Sequence, residues 1–310
     1  MQSMRFNRLR LPITSLFLGL CIVFGWAYYY GFDQGNVSKT AAVSGIIREA
    51  HHPLFWDALA FRRALVAAEK VPEREDVMGV IVPHHLLASH MIGETLAHVD
   101  PQGIERVVLL GPNHYEGGED SVLTSLRDWE TPRGLVEVEI DWIETLLDRF
   151  GDIKIDEEVA RTEHSMGGLM PYIAHFFPDS KIVPIILSMR GKEEELKGLA
   201  MLLAEMDDGH TLYVASVDFS HYLTKEIADE RDKATKILIE NERRADIMDL
   251  NSEYMDSPAS IYLLLTISKF LGGKPPVLVR QDNSGRIMGD PYGETTSYLT
   301  YIIPSIESNY

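Results

Sequence analysis

Short, almost wholly apolar runs alternate with helix-like segments along most of this chain. The clearest runs are "MGVIVP" (78–83), "ERVVLLGP" (105–112), "KIVPIIL" (181–187) and "TLYVASV" (211–217). Apolar runs of this length are typical of strands that are buried on both faces of a sheet. Helical spacing between them, as in "KEEELKGLAMLLAEM" (192–206), predicts crossover helices. The pattern therefore favours an α/β fold.

The rest of the chain supports one domain. Segments 55–70, 89–99, 141–150 and 167–177, together with 223–250 and 259–271, read as helices, and 275–281 and 296–304 read as closing strands. Segment 121–126 predicts a further strand, and 134–140 an edge strand. We predict a single α/β domain over 47–310, with a mixed, mostly parallel central sheet flanked by helices.

Histidines follow three of the predicted strands. His84 and His85 follow the first, His114 follows the second, and Asp218 and His221 follow a later one. Since ligands of open α/β sheets bind beyond the carboxyl ends of strands, we expect these side chains to share one cleft. A fourth motif, "EHSMGG" (163–168), puts a histidine before a predicted helix. The alternative interpretation is that each histidine is an ordinary polar loop residue.

Imidazoles combined with a carboxylate are ligands for Fe(II), Zn(II) or Mn(II). A histidine of such a cleft that binds no metal is suited to carry protons, because its pKa lies near physiological pH. Asp218, three residues before His221, is placed to orient a ring or accept a proton. The single cysteine, Cys21, leaves the rest of the chain without a cysteine zinc site.

Composition and missing motifs exclude several classes. The formal net charge of −18 repels phosphate backbones, so we expect no nucleic-acid partner. The chain has no HExxH, Walker or GxSxG motif, which argues against a metalloprotease, a P-loop enzyme and an α/β-hydrolase.

The N-terminus predicts a membrane anchor. Residues 1–10 carry three arginines, and 11–32 contain no charged residue, which is long enough to cross a bilayer. Basic residues before the span predict a single-pass protein with its N-terminus in the cytoplasm and its domain extracytoplasmic. We expect an uncleaved signal anchor at 11–32, followed by a polar linker at 33–46. A buried core helix is the alternative.

Five motifs together resemble the Memo family, whose bacterial and archaeal members include AmmeMemoRadiSam system protein B. They are "VPHHLLASH", "VVLLGPNHY", "TEHSMGGLMPY", "VASVDFSHY" and "DNSGRIMGD", in family order. The resemblance runs from about residue 47 to the end of the chain. It implies a fold and a cleft similar to those of class III extradiol dioxygenases, which are non-haem iron enzymes.

By this resemblance His84 and His114 correspond to metal ligands and His221 to the acid/base of the dioxygenases. Asp218 and His164 fall in the surrounding pocket and complete the predicted catalytic group. The third ligand is a glutamate in the dioxygenases and a cysteine in animal Memo proteins. The C-terminal region of this chain has no cysteine and offers Asp282, Asn283, Ser284 and Asp290, of which we take Asp282 as the third ligand. The alternative is that this motif only forms turns. The implied cofactor is a divalent metal, with iron expected and copper or zinc as alternatives.

Three functions stay open at this point. The cleft could serve a metal-dependent, dioxygenase-like oxidoreductase. It could instead bind a small molecule or peptide without turnover, beside a vestigial metal site. A purely structural surface protein would not explain four polar motifs at strand exits.

Overall fold

The computed structural model describes residues 49–290 and 292–306. They all lie in one compact unit and form a mixed α/β domain, as the sequence predicted. The strands are β1 (Ala50–His51), β2 (Val77–Val82), β3 (Arg106–Pro112), β4 (Val122–Thr124), β5 (Asp128–Thr131), β6 (Gly134–Val136), β7 (Ile153–Ile155), β8 (Lys181–Leu187), β9 (Thr211–Ser216), β10 (Val277–Asn283) and β11 (Ser297–Pro304).

The helices lie mainly between these strands. They are α1 (Ala58–Ala68), α2 (Ser89–Leu96), α3 (Ile140–Arg149), α4 (Glu157–Thr162), α5 (His164–Gly167), α6 (Met170–Phe176), α7 (Glu193–Met206), α8 (Lys225–Glu240), α9 (Arg244–Met248), α10 (Pro258–Phe270) and α11 (Ser284–Met288). The predicted helix over 167–177 is divided, because Pro171 lies in the first turn of α6 and has no backbone N–H to continue α5.

The main sheet has eight strands in the order β10-β11-β2-β9-β3-β8-β4-β7. Its centre, β2-β9-β3-β8, is parallel, whereas β11 pairs antiparallel with both β10 and β2. Strands β3 and β9 are buried at every position, which explains why their sequences are apolar except at the strand ends. Helix α10, buried from Pro258 to Ser268, packs on this centre.

Strands β2, β9 and β3 are neighbours that run in the same direction. Their carboxyl ends therefore meet at one edge of the sheet, and the residues after them share that edge. A second sheet of three short strands, β1-β5-β6, lies outside the main one. Of its strands, only the region of β6 was predicted.

The predicted membrane anchor needs correction. Segment 11–32, like the basic segment 1–10 and the linker 33–46, lies outside the described residues. Across the described ranges no helix is both long and apolar enough to cross a bilayer. We therefore retain neither the transmembrane helix, nor the membrane as a partner, nor the single-pass placement with an extracytoplasmic domain.

Candidate metal centre

The structure brings two predicted ligands, His84 and His114, together. His84 follows β2 and His114 follows β3, and their ring centroids are 4.9 Å apart in an edge-to-face arrangement. His84 is buried, with 3% of its surface exposed, and His114 is half-buried. The strand order explains this proximity, because only β9 separates the two strands.

A serine fixes the ring orientation of His84. Its Nδ1 lies 3.1 Å from the Ser216 hydroxyl, and that hydroxyl donates its proton to the Ser165 carbonyl at 2.8 Å. The Ser216 oxygen therefore accepts from the Nδ1–H of His84. This bond turns Nε2 of His84 towards the cleft.

A buried glutamate does the same for His114. Nδ1 of His114 donates to Oε1 of Glu163 at 2.8 Å, and the second oxygen of Glu163 accepts from the backbone N–H of His114 at 2.9 Å. Glu163 also caps α5 by accepting from the Ser165 N–H. Metal-binding histidines commonly have such a carboxylate on the nitrogen that does not bind the metal.

Asp256, which sequence reasoning missed, completes this arrangement. Its Oδ2 lies 3.1 Å from Nε2 of His84 and 3.5 Å from Nε2 of His114. Its Oδ1 is buried and has no hydrogen-bond partner within the described part of the chain. Two reciprocal hydrogen bonds with Asp218 hold Asp256 in place. The Asp256 N–H donates to the Asp218 carbonyl at 3.0 Å, and the Asp218 N–H donates to Oδ2 of Asp256 at 3.2 Å.

One Asp256 oxygen lies at ligand-like separations from both imidazoles. Ligands at about 2.1 Å from one ion lie about 3.0–3.4 Å from each other in octahedral or tetrahedral geometry. The two Asp256 separations fall close to that range, and Oδ1 has spare accepting capacity. Two imidazoles and one carboxylate are the donor set of non-haem Fe(II) sites.

Charge holds this cluster together. Burial alone would lower the pKa of both histidines, but the carboxylates of Asp218 and Asp256 raise that of His84. Bonds to Asp256 and Glu163 raise the pKa of His114 to about 10. Burial would raise the pKa of the Asp256 carboxyl, yet the charge of His84 and the bond from His114 hold it well below its usual value.

His164 lies beside the cluster with its ring stacked on His114. The centroids are 4.1 Å apart and the planes differ by 29°. Burial, followed by the charges of His84 and His114, lowers the pKa of His164 to about 4, so this imidazole is neutral. Two groups of donors among the described residues lie close enough for one ion. They are His84 with His114 and His164, and His84 with Asp218 and Asp256, so His84 is common to both while His114 and Asp256 fall in different groups.

Asp218 and His221 lie on the loop that follows β9. Oδ1 of Asp218 accepts from the His84 N–H at 3.2 Å, and Oδ2 is 3.7 Å from Nε2 of His84. His221 interacts electrostatically with His85 and Asp256. Its buried Nδ1 has no hydrogen-bond partner among the residues described.

Asp282 is placed elsewhere. It lies in β10, where its Oδ1 accepts from the Asn283 N–H at 2.9 Å and is 3.9 Å from Nη1 of Arg286. In the described ranges it belongs to neither donor group. The motif "DNSGRIMGD" instead forms a capped helix, since Asn283 accepts from the Arg286 N–H and Gly289 ends α11 at φ 69°. Of these two aspartates, only Asp256 lies beside His84 and His114 in the structure.

Comparisons with known proteins cover most of the described chain. A family model described as "Memo-like protein" matches residues 57–302. A MEMO1 family protein of Methanosarcina mazei is 32% identical over 230 residues, covering 70% of this chain and 82% of its own length. One of Nitrosopumilus maritimus is 29% identical over 242 residues, with 75% and 85% covered. This chain therefore belongs to the family of Memo-like proteins.

Proposed function

We propose that this protein binds one divalent transition metal, with iron expected, through Nε2 of His84, Nε2 of His114 and the carboxylate of Asp256. The observation that supports it is the position of one Asp256 oxygen within 3.1 and 3.5 Å of the two imidazole nitrogens. The other nitrogen of each ring is already bonded to a fixed acceptor. Such preorganisation is what a metal ligand requires.

The alternative third donor, His164, is less well oriented. An ion bound to imidazole lies in the plane of the ring, and the planes of His164 and His114 are nearly parallel at 4.1 Å. Both rings cannot direct a lone pair at the same point from that arrangement. We assign His164 to the wall of the cleft, where a neutral imidazole accepts or donates a hydrogen bond.

An oxidoreductase role is the function that this donor set favours. A bound ferrous ion would supply redox and Lewis-acid chemistry, as in other two-histidine, one-carboxylate sites. We expect His221 to exchange a proton with a small ligand in the cleft, the role that the family resemblance implies for it. The lack of a hydrogen-bond partner for its Nδ1 among the described residues is consistent with that role. Asp218 holds His84 and Asp256 in position by accepting hydrogen bonds from their backbone N–H groups.

Metal content of the full chain tests the assignment. We expect about one metal ion per chain after anaerobic purification and iron reconstitution, and its loss in His84→Ala, His114→Ala and Asp256→Ala. Asp282→Ala is the matched control, because it removes a carboxylate that lies away from the cluster, and it should keep its metal. His164→Ala should also keep it.

Two outcomes would contradict the proposal. Loss of metal in Asp282→Ala with retention in Asp256→Ala would restore the C-terminal motif as the source of the third ligand. No metal in the wild-type protein after reconstitution would leave a charged cleft that binds its ligand without redox chemistry. If metal is bound, oxygen uptake in the presence of catechol-type compounds, lost in His221→Ala, would support the oxidoreductase role.

A further inference from the structure

The loop after β9 carries an exposed aromatic ring beside His221. Tyr222 follows His221 directly, and 76% of its surface is exposed. The two ring centroids are 5.8 Å apart and the planes differ by 49°. Within the described chain the Tyr222 side chain forms no hydrogen bond. Because His221 in turn interacts electrostatically with His85 and Asp256, this tyrosine lies at the edge of the candidate metal centre.

The backbone of Tyr222 adopts the left-handed conformation. Its φ is 57°, which is disfavoured for a bulky L-residue because Cβ comes close to the following carbonyl oxygen. In the described ranges Glu116 and Glu242 are the other non-glycine residues with a positive φ. The side chain of Glu116 accepts hydrogen bonds from the Ser188 hydroxyl and the Met189 N–H. Tyr222 is the aromatic one of the three, and no hydrogen bond of its side chain offsets the strain.

Hydrogen bonds on both sides of Tyr222 hold this conformation in place. The Ser220 carbonyl accepts from the Ser297 N–H at 2.9 Å, and the Leu223 carbonyl accepts from the Thr295 N–H at 2.8 Å. A strained residue persists only where its surroundings fix it, and such residues cluster at functional sites. The fold therefore fixes an exposed ring beside the candidate metal centre without gaining a hydrogen bond from that ring.

We propose that Tyr222 is a specificity-determining residue of the cleft, where its ring packs against a planar ring of the bound ligand. This inference rests on the proposed function, since it assigns a contact to a ligand of the same centre. Aromatic rings attract each other when they are offset-stacked or edge-to-face, with centroids about 4.5–7 Å apart. A ring on a fixed backbone also loses less conformational freedom when it packs on a ligand. The geometry thus favours a ring-bearing ligand over an aliphatic one with the same oxygen donors.

Calorimetric titration of the anaerobic, iron-loaded full chain tests this assignment with two probes. Catechol offers two oxygens on a ring, and oxalate offers two oxygens without a ring. Tyr222→Gly should weaken catechol binding about three- to ten-fold, the loss expected for one ring contact. It should change oxalate affinity less than about two-fold. Tyr222→Phe should keep catechol affinity within about two-fold of wild type, because it retains the ring.

Thermal unfolding separates a ligand contact from a structural role. Tyr222→Gly should leave the unfolding temperature unchanged or raise it, because glycine adopts a positive φ without strain. Glu242→Gly is the matched control for the backbone, since Glu242 has a φ of 50°. This variant should also keep or raise the unfolding temperature, but its catechol affinity should equal that of wild type.

Three results would overturn this inference and leave the metal centre intact. The first is equal catechol affinity in wild type and Tyr222→Gly. The second is a parallel loss of catechol and oxalate affinity in Tyr222→Gly, which would indicate a disturbed centre instead of a lost ring contact. The third is equal weakening in Tyr222→Phe and Tyr222→Gly, because the hydroxyl would then be the contact. A chain that takes up no metal and binds neither probe would refute the proposed function, and this inference with it.

Discussion

Ser216 gives the sharpest test of how the metal centre is oriented. Replacing it with alanine removes one oxygen from a site that is fully buried. That oxygen accepts from His84 and donates to the Ser165 carbonyl. The substitution therefore leaves one buried donor and one buried acceptor without a partner. Ser268 is an equally buried serine whose hydroxyl has no partner within the described chain, so Ser268→Ala is the matched control.

The expected cost follows from these bonds. Two lost hydrogen bonds, with burial of the unsatisfied groups, should lower the free energy of unfolding by about 2–4 kcal/mol. Ser268→Ala should change it by less than about 0.5 kcal/mol, because it removes an unsatisfied group from a helix and alanine favours helix. If the proposed centre is real, Ser216→Ala should also weaken metal binding about 10- to 100-fold, since Ser216 orients the ring of His84 through the nitrogen that does not bind the metal.

Urea denaturation of the metal-free variants measures the first quantity, and competition against a chromophoric chelator measures the second. Equal stability of the two serine variants would show that His84 does not depend on the Ser216 hydroxyl. The assignment of Nε2 as the nitrogen facing the cleft would then fail. A loss of stability without any change in metal affinity would support the hydrogen bond between Ser216 and His84. It would also show that His84 is not a metal ligand.

Two further predictions concern packing and pH. Gly93→Ala should lower the free energy of unfolding by about 1–3 kcal/mol in urea titrations, because the new Cβ would lie 2.2 Å from the Ala64 carbonyl oxygen of α1. Gly198→Ala is the control. Its Cβ would lie 3.7 Å from Phe150, so this substitution should be neutral or stabilising. Burial would raise the pKa of Glu157, but bonds from His51, Ser125 and the Leu126 N–H hold it below its usual 4.5. Its contribution is therefore present above about pH 4.5 and is lost as the pH falls through the lower folded-state pKa. The stability difference between wild type and Glu157→Gln should shrink towards pH 3, and a constant difference across that range would refute the assignment.

The parts of the site that follow strands could be predicted from sequence. An apolar run that ends in a polar residue marks the carboxyl edge of a parallel sheet, and His84, His114 and Asp218 each have that context. The pairing β2-β9-β3 then places them together. The small sheet β1-β5-β6 was harder to predict, since β1 has only two residues and little periodicity.

Asp256 follows no strand, and that is why it was missed. It precedes Ser257, the N-cap of α10, and a bridge between Phe219 and Met255 brings it to the β9 loop. Such a long-range contact has no periodic signal in the sequence. The local sequence signal was "MDSPAS" (255–260), in which Ser257 is a cap and Pro258 begins a helix. This pattern predicts a helix start that fixes the position of the residue before the cap, Asp256. Asp282 was favoured instead because it lay in a family motif, although β10 is an edge strand.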